Sequence, residues 1–163
     1  MPMLNIGGVS GNHETLSFGV CFLCSEETED YIWAMDQLVD IMEKHDIPIP
    51  SCVITDRELA LINAFERSFP SSKHMLCQWH VSMNVLAKTR RYFPSATRIP
   101  GQPPQRHPTF NTFLEEWQAL LKSSNLEQYQ ARLNAFQSGE HPKAAVEYAV
   151  QTWLVWKEKL VSY

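Results

Sequence analysis

The 163-residue sequence predicts an α/β fold followed by an all-helical region. Over residues 1–93, short apolar runs of strand length alternate with longer segments of helical periodicity. Five prolines and one glycine then occur within residues 94–108, a composition that suits only a loop. We therefore expect three regions: a partial mixed sheet over residues 1–93, a proline-rich loop over residues 94–109 and a helical subdomain over residues 110–163.

The first two strands are predicted to form a hairpin. Residues 3–9 are apolar enough for a strand, and residues 10–13 have the composition of a turn. Residues 15–24 then alternate in hydrophobicity, so that one face of the second strand carries Leu16, Phe18, Val20, Phe22 and Cys24. Two strands joined by a short turn pair in antiparallel fashion.

Helices and strands alternate after the hairpin. Ser25 is a candidate N-cap, the helix after it has an acidic first turn, and Pro48 and Pro50 end it. Residues 52–55 are short and apolar enough for a buried strand, and a helix follows directly, with Leu59, Ile62, Phe65 and Phe69 at helical spacing. Residues 73–77 suit another strand, and the helix after it has an apolar stripe of Trp79, Met83, Leu86 and Ala87. This order predicts a mixed sheet with helices on both faces.

Asp56 stands at the carboxyl end of the strand over residues 52–55. Open α/β sheets carry their functional groups at this end of their strands. Because Asp is also a favoured N-cap residue, the same position suits a structural role at the start of the next helix. Position alone leaves both interpretations open.

Composition and charge indicate the class of protein. No apolar run is long enough to span a bilayer and no secretory signal is recognisable, so we expect no membrane association. Residues 1–50 carry nine acidic side chains against Lys44 alone. Residues 71–109 carry six basic side chains and no carboxylate: Lys73, Lys88, Arg90, Arg91, Arg98 and Arg106. This asymmetry predicts a basic surface for phosphate groups, although a solvated loop that is basic by chance fits equally well.

Cys77 and His80 have the spacing of two metal ligands on one helical face. A closed zinc site needs about four ligands, and Cys21 and Cys24 are the obvious further pair. Those two lie within the alternating strand, where an odd separation directs side chains to opposite faces. The pattern therefore does not favour zinc, and four scattered cysteines do not indicate a disulfide scaffold either.

Several segments together resemble the core of Mutator-like element transposases, the MULE transposase domain. These are residues 26–35, residues 52–64 around Asp56, Phe69-Pro70, the run from His74 through Cys77 and His80 to Asn84, and residues 153–159. The resemblance thus spans nearly the whole chain, and the separation of the aspartate from the Cys-x-x-His motif is its most specific part.

The resemblance implies an RNase H-like fold and a DNA-cutting and DNA-joining activity that uses two Asp and one Glu around Mg²⁺ or Mn²⁺. Asp56 matches the second aspartate, and Cys77 and His80 match the Cys-x-x-His signature. Two-metal chemistry needs several carboxylates around ions roughly 4 Å apart, which one aspartate does not supply. The first aspartate and the glutamate are expected before and after the present sequence, so we expect a segment of a transposase that is inactive alone.

The resemblance also implies transposon-end DNA as partner, homo-oligomer formation and a nuclear location. Two alternatives belong to other classes of protein. The first is a domesticated, non-catalytic DNA-associated regulator or scaffold. The second is a zinc-binding interaction module built on Cys77 and His80, which would retain stoichiometric zinc through purification.

Overall fold

The computed structural model describes residues 1–96, 101 and 105–161. The chain divides into an N-terminal unit, residues 1–75, and a C-terminal unit, residues 76–163. The strands are β1 (Met3–Val9), β2 (Thr15–Phe22), β3 (Cys52–Thr55) and β4 (Lys73–Leu76). The helices are α1 (Thr28–Lys44), α2 (Leu59–Ser68), α3 (Gln78–Thr89), α4 (Pro108–Leu121), α5 (Leu126–Ser138), α6 (Lys143–Trp153) and α7 (Lys157–Leu160), with short 3-10 segments at Arg90–Tyr92 and Leu154–Trp156. By this division α3 belongs with the C-terminal helices, while the three predicted domain limits stay a prediction.

The described strands form two separate two-stranded sheets rather than one mixed sheet. β1 and β2 make the predicted antiparallel hairpin, with Met3 opposite Phe22 and Val9 opposite Thr15. β3 pairs with β4. The α/β class is therefore confirmed. Within the described residues, each strand has only one partner and keeps one edge unpaired.

In the N-terminal unit the helices cover only one face of the strands. Tyr31 and Met35 of α1 and Phe65 of α2 belong to a buried cluster against which Leu4, Cys21 and Val53 pack from the strands. The opposite strand face is exposed, including four side chains of the apolar face of β2 (Leu16, Phe18, Val20 and Phe22) and Ile54 of β3. The predictions of a buried strand at residues 52–55 and of helices on both faces are therefore wrong for this unit. The alternation along β2 is as predicted, but α1 and α2 cover the face that carries Cys21, and Phe18 and Phe22 stay exposed.

The ends of α1 differ from the expected ones. Glu27, not Ser25, occupies the N-cap position. Ser25 instead bonds from its N–H and its hydroxyl to the Asp30 carboxylate, at 2.7 and 2.5 Å. The helix ends before the prolines, where Asp46 adopts a left-handed φ of 54° and the Ile47 N–H bonds to the Met42 carbonyl at 2.8 Å. That pair of features is a Schellman-type ending.

The C-terminal unit has a closed helical core. All six residues of the first predicted stripe are buried: Phe110, Phe113, Leu114, Trp117, Leu120 and Leu121. Of the later apolar residues, Tyr129, Phe136, Val146 and Trp153 are buried, whereas Leu126 is exposed. On α3 the buried residues are Val81, Val85 and Thr89, so the predicted stripe through Trp79 and Met83 is not the core face. Both sets repeat every four residues, and periodicity alone does not tell them apart.

Candidate functional site

Asp56 is the first residue after β3 and is exposed. Its backbone is held by a short chain of hydrogen bonds, because the Thr55 hydroxyl donates to the Asp56 carbonyl at 2.7 Å. The same hydroxyl oxygen lies 2.8 Å from Nε2 of His74 on the paired strand β4. Since the single hydroxyl proton of Thr55 is already donated, the imidazole donates from Nε2. The strand end that carries Asp56 is thus fixed from its neighbouring strand.

The helix after Asp56 is capped by another carboxylate. Glu58 occupies the N-cap position of α2, and its Oε1 accepts from the Ala60 N–H at 3.2 Å. The N-cap interpretation of Asp56 is therefore wrong, because the helix begins three residues after it and has its own cap. The Asp56 side chain is exposed and does not cap the helix.

A buried phenol lies near the Asp56 carboxylate. Burial raises the pKa of Tyr31 above its ordinary value of 10.0, and the negative charges of Glu26, Glu58 and Asp56 raise it further. The first turn of α1 therefore stands within electrostatic reach of the end of β3. The effect keeps the phenol protonated, so Tyr31 remains a hydrogen-bond donor beside three carboxylates.

The Cys-x-x-His pair occupies the first turn of α3. Cys77 is at the N-cap position without a side-chain capping bond, and its thiol is free. His80 is exposed, with its ring centre 4.8 Å from that of Trp79. Of the two residues between them, Gln78 is structural, because its Nε2 donates to the carbonyls of Leu121 at 3.3 Å and Leu160 at 2.8 Å. This pair of bonds fixes the start of α3 within the C-terminal unit.

Cys21 and Cys24 differ from the expectation that both lie in one strand. β2 ends at Phe22, so Cys24 lies beyond it and is exposed, whereas Cys21 packs against the N-terminal core. All four cysteines are free thiols.

The predicted basic residues separate into two groups. Lys88, Arg90 and Arg91 are exposed at the end of α3 and in the turn after it; we call these three the basic cluster. Arg91 donates to the Tyr92 hydroxyl at 2.6 Å, with its guanidinium 4.8 Å from the ring centre. The other group is dispersed: Arg106 is exposed just before α4 and Lys73 is exposed on β4 of the N-terminal unit. Arg98 lies outside the described residues.

Comparison with known proteins identifies the family of this chain. Residues 1–84, more than half of the chain, match the MULE transposase domain, and this segment contains Asp56, Cys77 and His80. The chain belongs to the MULE transposase family. The resemblance found in the sequence is thereby confirmed.

One curated relative of this MULE transposase domain is the PKS-NRPS hybrid synthetase cheA of Chaetomium globosum. It is 30% identical over 102 residues, which cover 63% of this chain and 2% of that protein. The chain thus spans a very small part of the relative's length, and the synthetase name says nothing about this segment. No solved structure matches the chain significantly. None of the helices in the described ranges is long and apolar enough to cross a membrane.

Transposases generally use divalent metal ions, which need several donor side chains directed at one point. Among the described residues, no group of three or more His, Cys, Asp or Glu side chains is placed to hold a metal ion. Asp56 is a single exposed carboxylate, and Glu58 beside it serves as a helix cap. These residues do not complete a two-metal site.

Sequence reasoning missed two supporting residues of this MULE domain, His74 and Gln78. His74 is 6% exposed and alternates with buried Leu76 along β4. The period of a strand would have placed His74 inside, where an imidazole needs a hydrogen-bond partner. For Gln78 no sequence signal exists, since its partners are backbone carbonyls 43 and 82 residues away.

Proposed function

We propose that this MULE transposase domain takes part in DDE-type cleavage and transfer of DNA strands in the nucleus, on an RNase H-like core. The family match over residues 1–84 is the observation that carries the proposal. The position of Asp56 supports it: the residue follows a strand, is exposed, is not used as a cap, and is held by Thr55 and His74. Asp56 would supply one carboxylate for Mg²⁺ or Mn²⁺.

Strand cleavage is not expected from the described residues alone. Two-metal phosphoryl transfer needs several converging carboxylates, and the described residues contain no group of three or more His, Cys, Asp or Glu side chains placed to hold a metal ion. The proposed contribution of this chain is therefore one metal ligand and a DNA-binding surface. The alternative, a non-catalytic regulator, is not favoured by the match to a transposase domain.

The DNA-binding surface is proposed to be the basic cluster. Its three side chains are exposed, and among the described residues they make no ion pair with a carboxylate. Unpaired surface cations bind phosphate by releasing condensed counterions, which gives affinity without sequence choice. Transposon-end recognition and assembly into a homo-oligomer would add to this binding.

The test is the affinity of the 163-residue chain for duplex DNA, measured by fluorescence anisotropy against salt concentration. Reversal of two charges, Arg90→Glu with Arg91→Glu, is expected to weaken binding at least tenfold at low salt. The slope of log affinity against log salt should become shallower by about 2, since each phosphate contact contributes about 0.9.

The matched control is Lys143→Glu with Lys157→Glu. It makes the same change of charge at two exposed positions, each the first residue of its helix, where Glu is favourable for the helix dipole. An equal loss in both double variants would show that only net charge matters and would remove the basic cluster from the proposal. Absence of salt-dependent binding in the unaltered chain would overturn DNA binding itself.

A further inference from the structure

The turn Arg90–Tyr92 is held at both ends by buried side chains. Before it, Thr89 is fully buried, and its hydroxyl donates to a backbone carbonyl of the preceding helical turn at 2.6 Å. After it, Phe93 is buried, with its ring centre 4.7 Å from that of Phe110. The Phe93 N–H closes the turn by donating to the Arg90 carbonyl at 3.2 Å. The backbone of this turn is therefore fixed to the core of the C-terminal unit.

The side chain of Arg91 is fixed as well as its backbone. Its Nη2 donates to the Tyr92 hydroxyl at 2.6 Å, and its guanidinium carbon lies 4.8 Å from the centre of the Tyr92 ring. Lys88 and Arg90 have no side-chain bond or ring contact of this kind within the described residues. In the described part of the chain, Arg91 is therefore the cation of the basic cluster that is oriented before any ligand binds.

The group that orients Arg91 is neutral. A carboxylate would offset the charge of a guanidinium while fixing it, whereas a phenol accepts one hydrogen bond and leaves that charge in place. Arg91 makes no ion pair among the described residues. A guanidinium has five N–H donors, so four remain for another acceptor. Tyr92 thus holds a planar fork of donors at the protein surface with its positive charge uncompensated.

We propose that Arg91 binds one phosphate of duplex DNA through two of its N–H groups, and that Tyr92 is the residue that positions it. A guanidinium fork matches two oxygens of a phosphate group, a geometry that lysine does not reproduce. Ordering a long side chain on binding costs a factor of about 2 to 12 in affinity, and a side chain that is already ordered avoids that loss. The identity of the ligand rests on the proposed function, whereas the bidentate contact and the role of Tyr92 go beyond it.

Charge-conserving substitutions test the fork when duplex affinity is measured against salt concentration. Arg91→Lys keeps the positive charge and removes the fork. We expect affinity to fall about fivefold, while the slope of log affinity against log salt stays the same. Arg67→Lys, at an exposed arginine of α2 outside the basic cluster, is the matched control and should change neither quantity. An unchanged affinity in Arg91→Lys would overturn the bidentate contact.

Tyr92→Phe tests the positioning role, because it keeps the ring and removes the hydroxyl that accepts from Arg91. We expect affinity to fall about threefold, again with the same salt dependence, since the charge of the chain is unchanged. Tyr148→Phe, at a half-buried tyrosine of α6, is the matched control and should leave the affinity as it is.

The double variant Arg91→Lys with Tyr92→Phe shows whether the two residues act together. Once the guanidinium is gone there is nothing for the phenol to position, so the double variant should bind as tightly as Arg91→Lys alone. Losses that multiply would show that Tyr92 acts independently of Arg91 and would overturn its positioning role.

A measurement without DNA separates this inference from the proposed function. The heteronuclear NOE of the Arg91 Nε–H group should be high in the unaltered chain and should fall in Tyr92→Phe, while that of Arg90 stays low in both. Equally low values for Arg90 and Arg91 in the unaltered chain would overturn the positioning role even if DNA binding were found. The absence of salt-dependent duplex binding would instead overturn the proposed function and, with it, phosphate as the ligand of Arg91.

Discussion

Phe113 and Trp117 of the C-terminal unit are 0% exposed, whereas Phe18 and Phe22 of the N-terminal unit are 67% and 60% exposed. Both units are rich in apolar residues, but their layers differ. In the C-terminal unit, α4 packs its stripe against other helices and closes a core. In the N-terminal unit, α1 and α2 close only one face of the strands.

The difference shows that an apolar sequence pattern predicts which face of an element is apolar but not whether another element covers that face. An exposed apolar sheet face of this kind is typical of an interaction surface. The unpaired edges of β1 and β2 are also typical of an interaction surface, because their backbone N–H and C=O groups are in position to pair with another strand. The N-terminal unit therefore carries residues whose burial is not completed by the described part of the chain.

The largest expected effect is a cavity in the closed core. Phe113→Ala should lower the free energy of unfolding by about 3–5 kcal/mol, because it removes a fully buried ring that contacts Phe93, Phe110 and Phe136. Urea denaturation followed by far-UV circular dichroism measures this loss.

The comparator is Phe22→Ser on the exposed sheet face. We expect a change within about 0.5 kcal/mol, as for other surface substitutions, together with reduced self-association in sedimentation velocity. A cost equal to that of Phe113→Ala would show that the sheet face is buried in solution and would break the comparison between the two units.

A smaller effect distinguishes the two carboxylates before α2. Glu58→Ala should destabilise the chain by about 1 kcal/mol, since it removes the side-chain acceptor for the Ala60 N–H. Asp56→Ala should be nearly neutral, because Asp56 does not cap the helix, and thermal denaturation of the two variants measures both changes. The reverse order of the two losses would restore the capping role of Asp56 and weaken its functional interpretation.

The smallest effect concerns the Tyr31 phenol. Asp56→Asn should move the pKa of Tyr31 downward, towards 10.0, because it removes one of the negative charges that raise it. Absorbance at the tyrosinate band against pH measures the shift, with Tyr31→Phe to assign the transition and Asp40→Asn as an exposed control on α1. An unchanged titration in Asp56→Asn would place the carboxylate away from the phenol.

The same raised pKa predicts how stability depends on pH. The unfolded chain ionises its tyrosines near pH 10, whereas folded Tyr31 keeps its proton to a higher pH. The stabilisation of the fold by the protonated Tyr31 phenol is therefore fully present below pH 10 and is lost as the pH rises through the pKa of the folded state. Above pH 10 the free energy of unfolding of the Tyr31→Phe variant should therefore fall less steeply with pH than that of the unaltered chain, as measured by urea denaturation.

Sequence reasoning predicted best the elements whose apolar residues fit only one arrangement. β1 has its predicted bounds, and the α4 stripe is buried throughout because six apolar residues fall on one helical face. The α3 stripe was mistaken because Val81, Val85 and Thr89 repeat with the same period as Trp79 and Met83. Periodicity gives the faces of a helix but not which of them is covered.

At the candidate site, the sequence predicted where Asp56 lies but not what supports it. The position at a strand end follows from a short apolar run before a helical pattern. The capping by Glu58 was not predictable from residue preference, because Asp is a better N-cap than Glu and stands only two residues earlier. The bond from His74 to Thr55 depends on strand pairing, which one sequence does not reveal.

The two bonds of Gln78 have a consequence for the order of events during synthesis. Its partner carbonyl at Leu160 is 82 residues further along the chain, so the bond forms only after nearly the whole C-terminal unit has left the ribosome. The turn that bears Cys77 and His80 is consequently held at both carbonyls only after the last helices of the C-terminal unit have been made, well after its own synthesis.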